Sequence, residues 1–374
     1  MDSGSVVIPP YVAGPLGLSP FRAMMLAPNR IGDPASARAF TRPYKDVAAR
    51  LARWEQHGQL WHDPVPALYL HEYTAAGIIV RGLVGLVDVS RRATRPEERA
   101  ILPHEGIYPA QADDLAARME EMQLNPAPIL LVHRAPASLR EVTGEVMAAP
   151  PDHSFTDRAK QQHRVWAIRD AGQLSRAREA LAVSRALIAD GHHRYAAYLR
   201  LQQRSPDGPA RQGLAMLVDQ DDTPLFLGAI HRVFTGTSLD DVLLAARSLG
   251  MPALELSEPA AIAALAPGRL VVTDAERWAA IELPIHDDHA AVETLHDQLV
   301  PAFPHGPRRI SYHHTVDDAL AQASPDLGVA VLLPAPDVGQ VLRIAGHDRL
   351  LPEKATSFQP KPSLGVLIRS LRDG

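Results

Sequence analysis

The fold is decided by the stretch Ala186-Leu187-Ile188-Ala189-Asp190-Gly191-His192-His193-Arg194. Its first four residues are apolar and predict a short buried strand, 186–189. The next five interrupt the apolar run and lead into a predicted helix, 195–203, so Gly191 lies where a strand turns into a helix. A strand that passes through a tight turn into a helix is typical of α/β proteins.

This turn has the chemistry of an anion site. The first N–H groups of a helix lack partners within it, and the helix dipole adds partial positive charge there. Gly191 would let a ligand approach the backbone, and His192, His193 and Arg194 would donate to phosphate oxygens. Asp190 would orient a metal ion or a substrate group. A structural interpretation stays open, in which Asp190 caps the helix and the three side chains after Gly191 are solvated.

Strands and helices alternate on both sides of the turn. Upstream, the predicted elements are helix 44–57, strands 67–70 and 77–89, helix 110–122, strands 128–132 and 163–168, and helix 174–183. Downstream, they are strands 213–219 and 225–234, helix 239–249, strand 269–273, helix 290–299, strand 328–333, helix 338–344 and strand 364–368. We therefore predict a mixed α/β chain with an irregular region 1–66, a core 67–237 and a C-terminal α/β lobe 238–374.

Composition excludes several classes of protein. The 374 residues suffice for two or three domains, and 46% hydrophobic with 22% charged residues is typical of globular proteins. A net charge of −5 provides no general attraction for nucleic acid. There is no cysteine, so disulfides and thiolate chemistry are excluded. No stretch resembles a signal peptide or a membrane span, and we expect a cytoplasmic protein with no membrane partner.

Lysine is rare in this arginine-rich chain, which makes its positions informative. The four lysines are Lys45, Lys160, Lys354 and Lys361. Two of them lie in one proline-flanked stretch, where a compact ammonium could be needed against a nucleotide phosphate. Chance pairing of two surface lysines is the open alternative.

The order of these features resembles the ParB/sulfiredoxin-like fold. The resemblance covers Gly82–Gln203, with a large insertion at 135–185, and includes the loop Pro103-His104-Glu105-Gly106 ahead of a helix. The whole chain also resembles a family of unknown function, number one thousand and fifteen. The residues that carry this second resemblance are 103–105, 163–166, 189–195, 215–219, 230–232 and 351–361.

The resemblance implies phosphoryl chemistry. Relatives on this fold include free serine kinases, and they hold nucleotide phosphates at the turn that corresponds to Gly191–Arg194. It implies ATP or ADP as donor, Mg²⁺ held with help from Asp190, and Glu105 as the base. One carboxylate that accepts the proton of an attacking hydroxyl is what phosphoryl transfer needs besides charge neutralisation. Glu105 and Asp190 are 85 residues apart, so only the fold could bring them together.

The remaining site residues are expected around this centre. We expect Lys354 and Lys361 on the nucleotide, and His104, His231 and Arg232 on the substrate. The predicted activity is transfer of a phosphoryl group to a small molecule, free serine or a similar hydroxy amino acid. The alternative is a ParB-like module that binds or hydrolyses a nucleotide, or associates with DNA, and has no small-molecule acceptor; nucleic acid is not the expected partner. A homo-oligomer is left open.

Two histidine clusters, 286–289 and 313–314, provide metal-type ligands but lack the spacing of a zinc site, and we expect them to be solvated.

Overall fold

The computed structural model describes residues 6–33, 40, 44–284, 289–347 and 349–373. The chain separates into two compact units, the first formed by Met1–Leu225 with Pro360–Gly374 and the second by Phe226–Gln359. This division differs from the predicted boundary near residue 237, and the last residues belong to the first unit and not to the C-terminal lobe. The last residues belong to the first unit because a C-terminal strand, 368–370, pairs with strands of that unit.

The first unit alternates strands and helices along the chain. Up to Leu225, its strands are β1 (Val12–Ala13), β2 (Ala23–Leu26), β3 (Leu60–His62), β4 (Leu68–Ala75), β5 (Ile78–Asp88), β6 (Arg99–Leu102), β7 (Leu124–Asn125), β8 (Ile129–His133), β9 (His153–Thr156), β10 (Gln162–Ile168), β11 (Ala186–Asp190) and β12 (Gln212–Asp219). Its helices are α1 (Val47–Gln56), α2 (Pro109–Met122), α3 (Ala137–Met147), α4 (Ala171–Ala182) and α5 (His192–Arg204).

A large mixed sheet forms the centre of this unit. In the described residues its strand order is β1-β6-β11-β8-β12-β5-β4-β10-β9. Strand β11 runs parallel to β6 and antiparallel to β8. The four apolar residues of β11 are buried, as expected for an interior strand covered on both faces. The end of this strand at Asp190 is paired with Leu130 of β8, whereas the pairing with β6 covers Ala186 and Leu187.

The predicted insertion, 135–185, extends the sheet. Strand β10 pairs with β4 in an antiparallel register, and β9 pairs with β10. The sequence predicts no element over 135–162, where the structure has α3 and β9. Leu139, Val142 and Val146 in α3 are buried at helical spacing, so the periodic signal was present but short.

The second unit has its own sheet. Its strands are β13 (Phe226–Gly228), β14 (His231–Thr235), β15 (Ala253–Leu256), β16 (Arg269–Thr273), β17 (Trp278–Glu282), β18 (Arg309–His313), β19 (Gly328–Leu332) and β20 (Ser357–Gln359). Its helices are α6 (Leu239–Ser248), α7 (Glu258–Ala264), α8 (Ala291–Thr294), α9 (Val316–Leu320) and α10 (Val338–Gly346). Six of the strands pair in the order β15-β17-β16-β19-β14-β18. The predicted mixed α/β class is confirmed, although the single strand predicted at 225–234 is divided into β13 and β14.

The last strand, β21 (Ile368–Ser370), belongs to a small sheet of the first unit with the order β3-β2-β21-β7. The predicted strand at 364–368 is therefore wrong in its position. Residues 364–367 instead form a turn, in which the carbonyl oxygen of Gly365 accepts the backbone N–H of Leu26 at 2.9 Å. The strand itself begins at Ile368, which pairs with Met24.

Within the described ranges, no helix has both the length and the apolar character needed to cross a membrane.

Candidate functional site

The turn after β11 has the geometry of an anion site. Strand β11 ends at Asp190, and α5 begins at His192, three residues earlier than predicted. Gly191 caps the helix with φ of +97°, a backbone conformation that residues with a side chain rarely adopt. The first turn of α5 therefore consists of the two histidines and Arg194, and its backbone N–H groups have no acceptor within the helix itself.

Asp190 is bound by two cations. Arg194 contacts one carboxylate oxygen through Nη2, and Lys361 Nζ lies 2.5 Å from the other. Arg194 also donates from Nη1 to the carbonyl oxygen of Pro128 at 2.6 Å. All three charged side chains are partly exposed. Two cations and one carboxylate leave one net positive charge, which the helix N-terminus reinforces.

The two histidines of the turn hold the loop that precedes α2. His192 Nε2 accepts the backbone N–H of His104 at 3.3 Å, and His193 Nε2 accepts that of Tyr108 at 3.1 Å. Because Nε2 of each ring is already an acceptor, only Nδ1 remains to donate a hydrogen bond to a phosphate, as the sequence predicts for both imidazoles. Burial lowers the pKa of His192 to about 3, so this ring is neutral.

These two hydrogen bonds bring the predicted base to the turn. Glu105 follows His104 on the same loop, and its side chain is about one fifth exposed, at 19%. His104 itself is fully buried, with its ring 4.6 Å from that of His192 in an edge-to-face arrangement. Burial also lowers the pKa of His104 well below its ordinary value. Glu105 therefore lies on a loop beside the turn. His104 is packed in the interior against His192, as a residue of the core would be.

A small cavity opens beside Asp190. Its volume of about 150 Å³ is below the roughly 300–1,000 Å³ that is usual for pockets that enclose drug-sized ligands. The enclosed part therefore suits a small substrate or one portion of a larger ligand. The cavity is lined by His71, Val84, Pro126, Ala127, Pro128, Leu130, Asp190, Arg194 and the segment 361–367.

Besides the ion pair of Lys361 with Asp190, three hydrogen bonds between described residues fix the C-terminal segment 360–363 to this part of the first unit. Tyr73 donates its hydroxyl to the carbonyl oxygen of Pro360 at 2.6 Å, and Gln161 donates to that of Lys361 at 3.3 Å. Ser363 donates to Asp157 at 2.5 Å. The sequence signal for this segment was the unusual lysine at 361. No signal identified His71, which lies in an ordinary strand.

Of the predicted site residues, all of which the structure describes, Asp190, Arg194 and Lys361 line this cavity. The residues of the turn and its loop that do not line it are Gly191, His192, His193, His104 and Glu105.

Three further predicted residues lie in the second unit. Lys354 belongs to the second unit, where its ammonium lies 4.9 Å from the centre of the Tyr312 ring. Arg232 is fully buried there and donates to backbone oxygens of Ile230 and Glu353.

His231 also lies in the second unit, where its Nδ1 accepts the backbone N–H of Leu333 at 3.1 Å. Each of these three side chains has a local structural partner. Of the two histidine clusters, His286 and the two residues after it lie outside the described residues, whereas His314 contacts the hydroxyl of Ser357.

Comparison with known proteins gives one family and several distant structures. A family model described as "Protein of unknown function (DUF1015)" matches residues 19–280. A free serine kinase in complex with AMP is 16% identical, with 72% of this chain and 88% of that chain covered at a TM-score of 0.38. A conserved hypothetical protein from Pyrococcus furiosus is 15% identical, with 73% and 93% covered at 0.39.

A third structure, SbnI with a C-terminal truncation from Staphylococcus aureus, is 12% identical, with 76% and 87% covered at a TM-score of 0.42. At these TM-scores the likeness assigns no activity to this chain. No curated protein matches it.

Proposed function

The chain belongs to the DUF1015 family of proteins of unknown function, and we propose from its site that it is a nucleotide-dependent kinase that phosphorylates the hydroxyl of a small molecule. The proposed acceptor is free serine or a similar hydroxy amino acid, and the proposed donor is ATP or ADP. Since the family assigns no activity and the structural likenesses are distant, the proposal rests on the residues around Asp190.

The observation that carries the proposal is the convergence of Arg194 and Lys361 at the N-terminus of α5, on the wall of a cavity. Arginine and lysine are the side chains that bind phosphate, and a helix start adds backbone donors. In the structure both cations are bound to Asp190. A phosphate group would replace this carboxylate as their partner, which releases Asp190 for another role.

The released carboxylate suits Mg²⁺. In nucleotide sites this ion is commonly bound by one or two carboxylates together with phosphate oxygens and water. Asp190 is the one carboxylate among the described residues that line the cavity, so an ion that arrives with the nucleotide would be held by Asp190 and the phosphates. When bound, Mg²⁺ would neutralise charge on the phosphates.

Glu105 is the proposed base. The loop that carries it is attached to the first turn of α5 by the hydrogen bonds to His192 and His193. A carboxylate there would accept the hydroxyl proton of the acceptor as its oxygen bonds to the transferred phosphorus, while the nucleotide leaves with the bridging oxygen. The partial exposure of Glu105 leaves it accessible to a substrate.

The test is turnover of ATP and ADP, followed by phosphorus NMR, with Mg²⁺ and a panel of hydroxy amino acids. We expect a phosphorylated amino acid as the product. Glu105→Gln should lower kcat by about 100-fold or more, the usual contribution of a general base, without loss of the folded state. The matched control is Glu97→Gln, because the Glu97 side chain is 62% exposed and belongs to a separate turn.

Two results would contradict the proposal. One is the absence of any phosphorylated product with either nucleotide across the panel. The other is a Glu105→Gln variant as active as the Glu97→Gln control, which would remove Glu105 from the mechanism. Nucleotide hydrolysis without a phosphorylated acceptor would favour the ParB-like alternative.

A further inference from the structure

A buried chain of three side chains leads from the interior of the first unit to the cavity. His163 Nε2 lies 3.2 Å from a carboxylate oxygen of Asp157, and His163 Nδ1 lies 3.0 Å from His71 Nε2. Asp157, His163 and His71 are only 4%, 1% and 2% exposed. His71 and His163 lie on the paired strands β4 and β10, which fixes their rings against each other. We call these three residues the histidine relay.

The hydrogen-bond partners of Asp157 determine where the protons of the relay lie. A carboxylate only accepts, so His163 must carry its proton on Nε2 and use Nδ1 as an acceptor. His71 must then donate from Nε2, and its Nδ1 is left unprotonated. No described residue forms a hydrogen bond with that Nδ1, and His71 lines the cavity. The wall of the cavity therefore contains an acceptor of fixed orientation.

The charge of the relay is negative and, among the described residues, is not balanced by a lysine or arginine. Besides His163, the described partners of the Asp157 carboxylate are the hydroxyl of Ser363 and the backbone N–H of Gln161. The two aligned imidazoles carry this negative potential toward the cavity, since each donates its proton toward Asp157 and presents a lone pair on the opposite side. A cationic hydrogen-bond donor is the group that such a wall stabilises.

The charged and titratable groups around His71 support a neutral ring. Burial is the main cause that lowers the pKa of His71 well below its ordinary value of 6.5, and His163 lowers it further. The other charged groups of the cavity wall are Asp190, Arg194 and Lys361, and the two cations are paired with that carboxylate. A neutral His71 is thus available as an acceptor at neutral pH.

We propose that His71 binds the ammonium group of the acceptor substrate, so that the cavity selects small amino alcohols, including hydroxy amino acids, over the corresponding compounds without an amine. His71 is the residue that contacts the ligand, whereas His163 and Asp157 are positioning residues that fix its tautomer. This inference deepens the proposed kinase function and rests on it for the identity of the site. In this proposal the ammonium group of the substrate binds at the His71 end of the cavity, and the phosphoryl group binds at the end formed by Arg194 and Lys361.

The first experiment measures substrate preference. Wild-type protein should phosphorylate serine and ethanolamine with kcat/KM at least about 10-fold above that for 3-hydroxypropanoate, the analogue without an amine. His71→Phe should raise KM for serine by about 10- to 100-fold, the size expected for one hydrogen bond to a charged group, and leave the KM for nucleotide unchanged. The preference for the amine should then disappear.

Conservative variants separate binding from folding. His71→Asn keeps an acceptor near the position of Nδ1 and should retain part of the preference, and Asp157→Asn should weaken it without a change in nucleotide KM. His133→Phe is the matched control, because His133 is a buried histidine of the same sheet that does not line the cavity. If His71→Phe changes serine KM no more than His133→Phe does, the ammonium site is overturned.

The second experiment is independent of turnover. In protein with ¹⁵N-labelled histidine, His71 and His163 should both show an unprotonated Nδ1, and serine or ethanolamine, but not 3-hydroxypropanoate, should shift the Nδ1 resonance of His71. This shift without any phosphoryl transfer would support the ammonium site and contradict the kinase. Phosphoryl transfer with an Nδ1 resonance that serine leaves unchanged would support the kinase and overturn the ammonium site.

Discussion

Gly191 determines how closely Arg194 and a ligand can approach the backbone of the turn. A Cβ atom at this position would lie 3.0 Å from Nε and Nη2 of Arg194, closer than most such contacts, so the guanidinium would have to shift. The φ of +97° adds a backbone penalty for any other residue. The same glycine thus permits the sharp turn and the ion pair between Arg194 and Asp190.

The first prediction concerns Gly191→Ala. We expect a loss of about 1–2 kcal/mol in the free energy of unfolding, from backbone strain, together with weaker binding of ATP or ADP as the guanidinium is displaced. Denaturant unfolding and nucleotide titration measure the two effects. Gly77→Ala is the matched control, since Gly77 has φ of +80° and a Cβ atom there would meet no described neighbour within 4 Å. Equal nucleotide affinity of the two variants would contradict the prediction.

The two lysines near the C-terminus show how far residue type alone can identify a site residue. The rarity of lysine in the sequence predicts a role for Lys354 and Lys361 equally. In the structure Lys361 is bound to Asp190, whereas Lys354 lies against the Tyr312 ring in the second unit. Composition could point to both residues, but only the pairing of the C-terminal strand separates them, and that pairing leaves no local pattern.

Elements marked by a continuous apolar run were predictable, and an element whose position depends on distant partners was not. Strand β11 and helix α5 follow the predicted order around Gly191, and β16 has its predicted bounds. Strand β21 is only three residues long, and its position depends on partners β2 and β7 that are distant in the sequence. Local periodicity cannot reveal such pairing.

The same limit applies to the candidate site. The turn and the loop of Glu105 were identified by their residues, and the structure joins them through hydrogen bonds from the loop to both histidines. His71 was missed because the pairing of β4 with β10 alone places it against His163. The residue pattern of β4 in the sequence does not distinguish His71 from the other buried residues of the strand.

The second prediction concerns the anchoring of β21. Arg369 is 3% exposed and donates to Asn125 Oδ1 at 3.2 Å, to the carbonyl oxygen of Pro209 at 2.8 Å and to that of Gln212. Arg369→Met would remove all three hydrogen bonds and would take this donor away from Asn125, which is 1% exposed. We expect a loss of about 2–4 kcal/mol in the free energy of unfolding, measured by urea denaturation.

The control for this change is Arg372→Met, because Arg372 is exposed in the same C-terminal segment. It should alter stability by less than about 0.5 kcal/mol, as is usual for surface positions. Equal unfolding midpoints for the two variants would show that the buried guanidinium does not anchor the strand.

At the scale of the whole molecule, net charge and local charge have opposite signs. The chain carries a formal net charge of −5, yet Arg194, Lys361 and the start of α5 leave an excess of positive charge beside Asp190. This arrangement is suited to one small polyphosphate, because a long polyanion would require an extended basic surface. Binding of a nucleotide should therefore weaken with salt much less than binding of DNA by a basic protein does.

Buried histidines make the whole first unit sensitive to acid. Burial keeps the pKa of His71 and His104 well below 6.5 and lowers that of His133 to about 4 and that of His192 to about 3. In the unfolded chain each ring would titrate near its ordinary value of about 6.5. Between these pH values the unfolded state binds protons that the folded state does not, so stability is complete above pH 6.5 and falls as the pH is lowered.

The third prediction is that acid unfolds the first unit well above the range in which carboxylates titrate. Each such histidine lowers the free energy of unfolding as the pH falls below 6.5, and the contributions of the buried rings add, so the loss should be a large part of the roughly 5–15 kcal/mol that stabilises a domain. Denaturant unfolding between pH 7.5 and 4.5 should show this loss. His133→Gln should reduce the slope, whereas His57→Gln, at an exposed position, should leave it unchanged. A stability that stays constant down to pH 4.5 would mean that the buried rings take up protons in the folded state, and would also remove the neutral acceptor at His71.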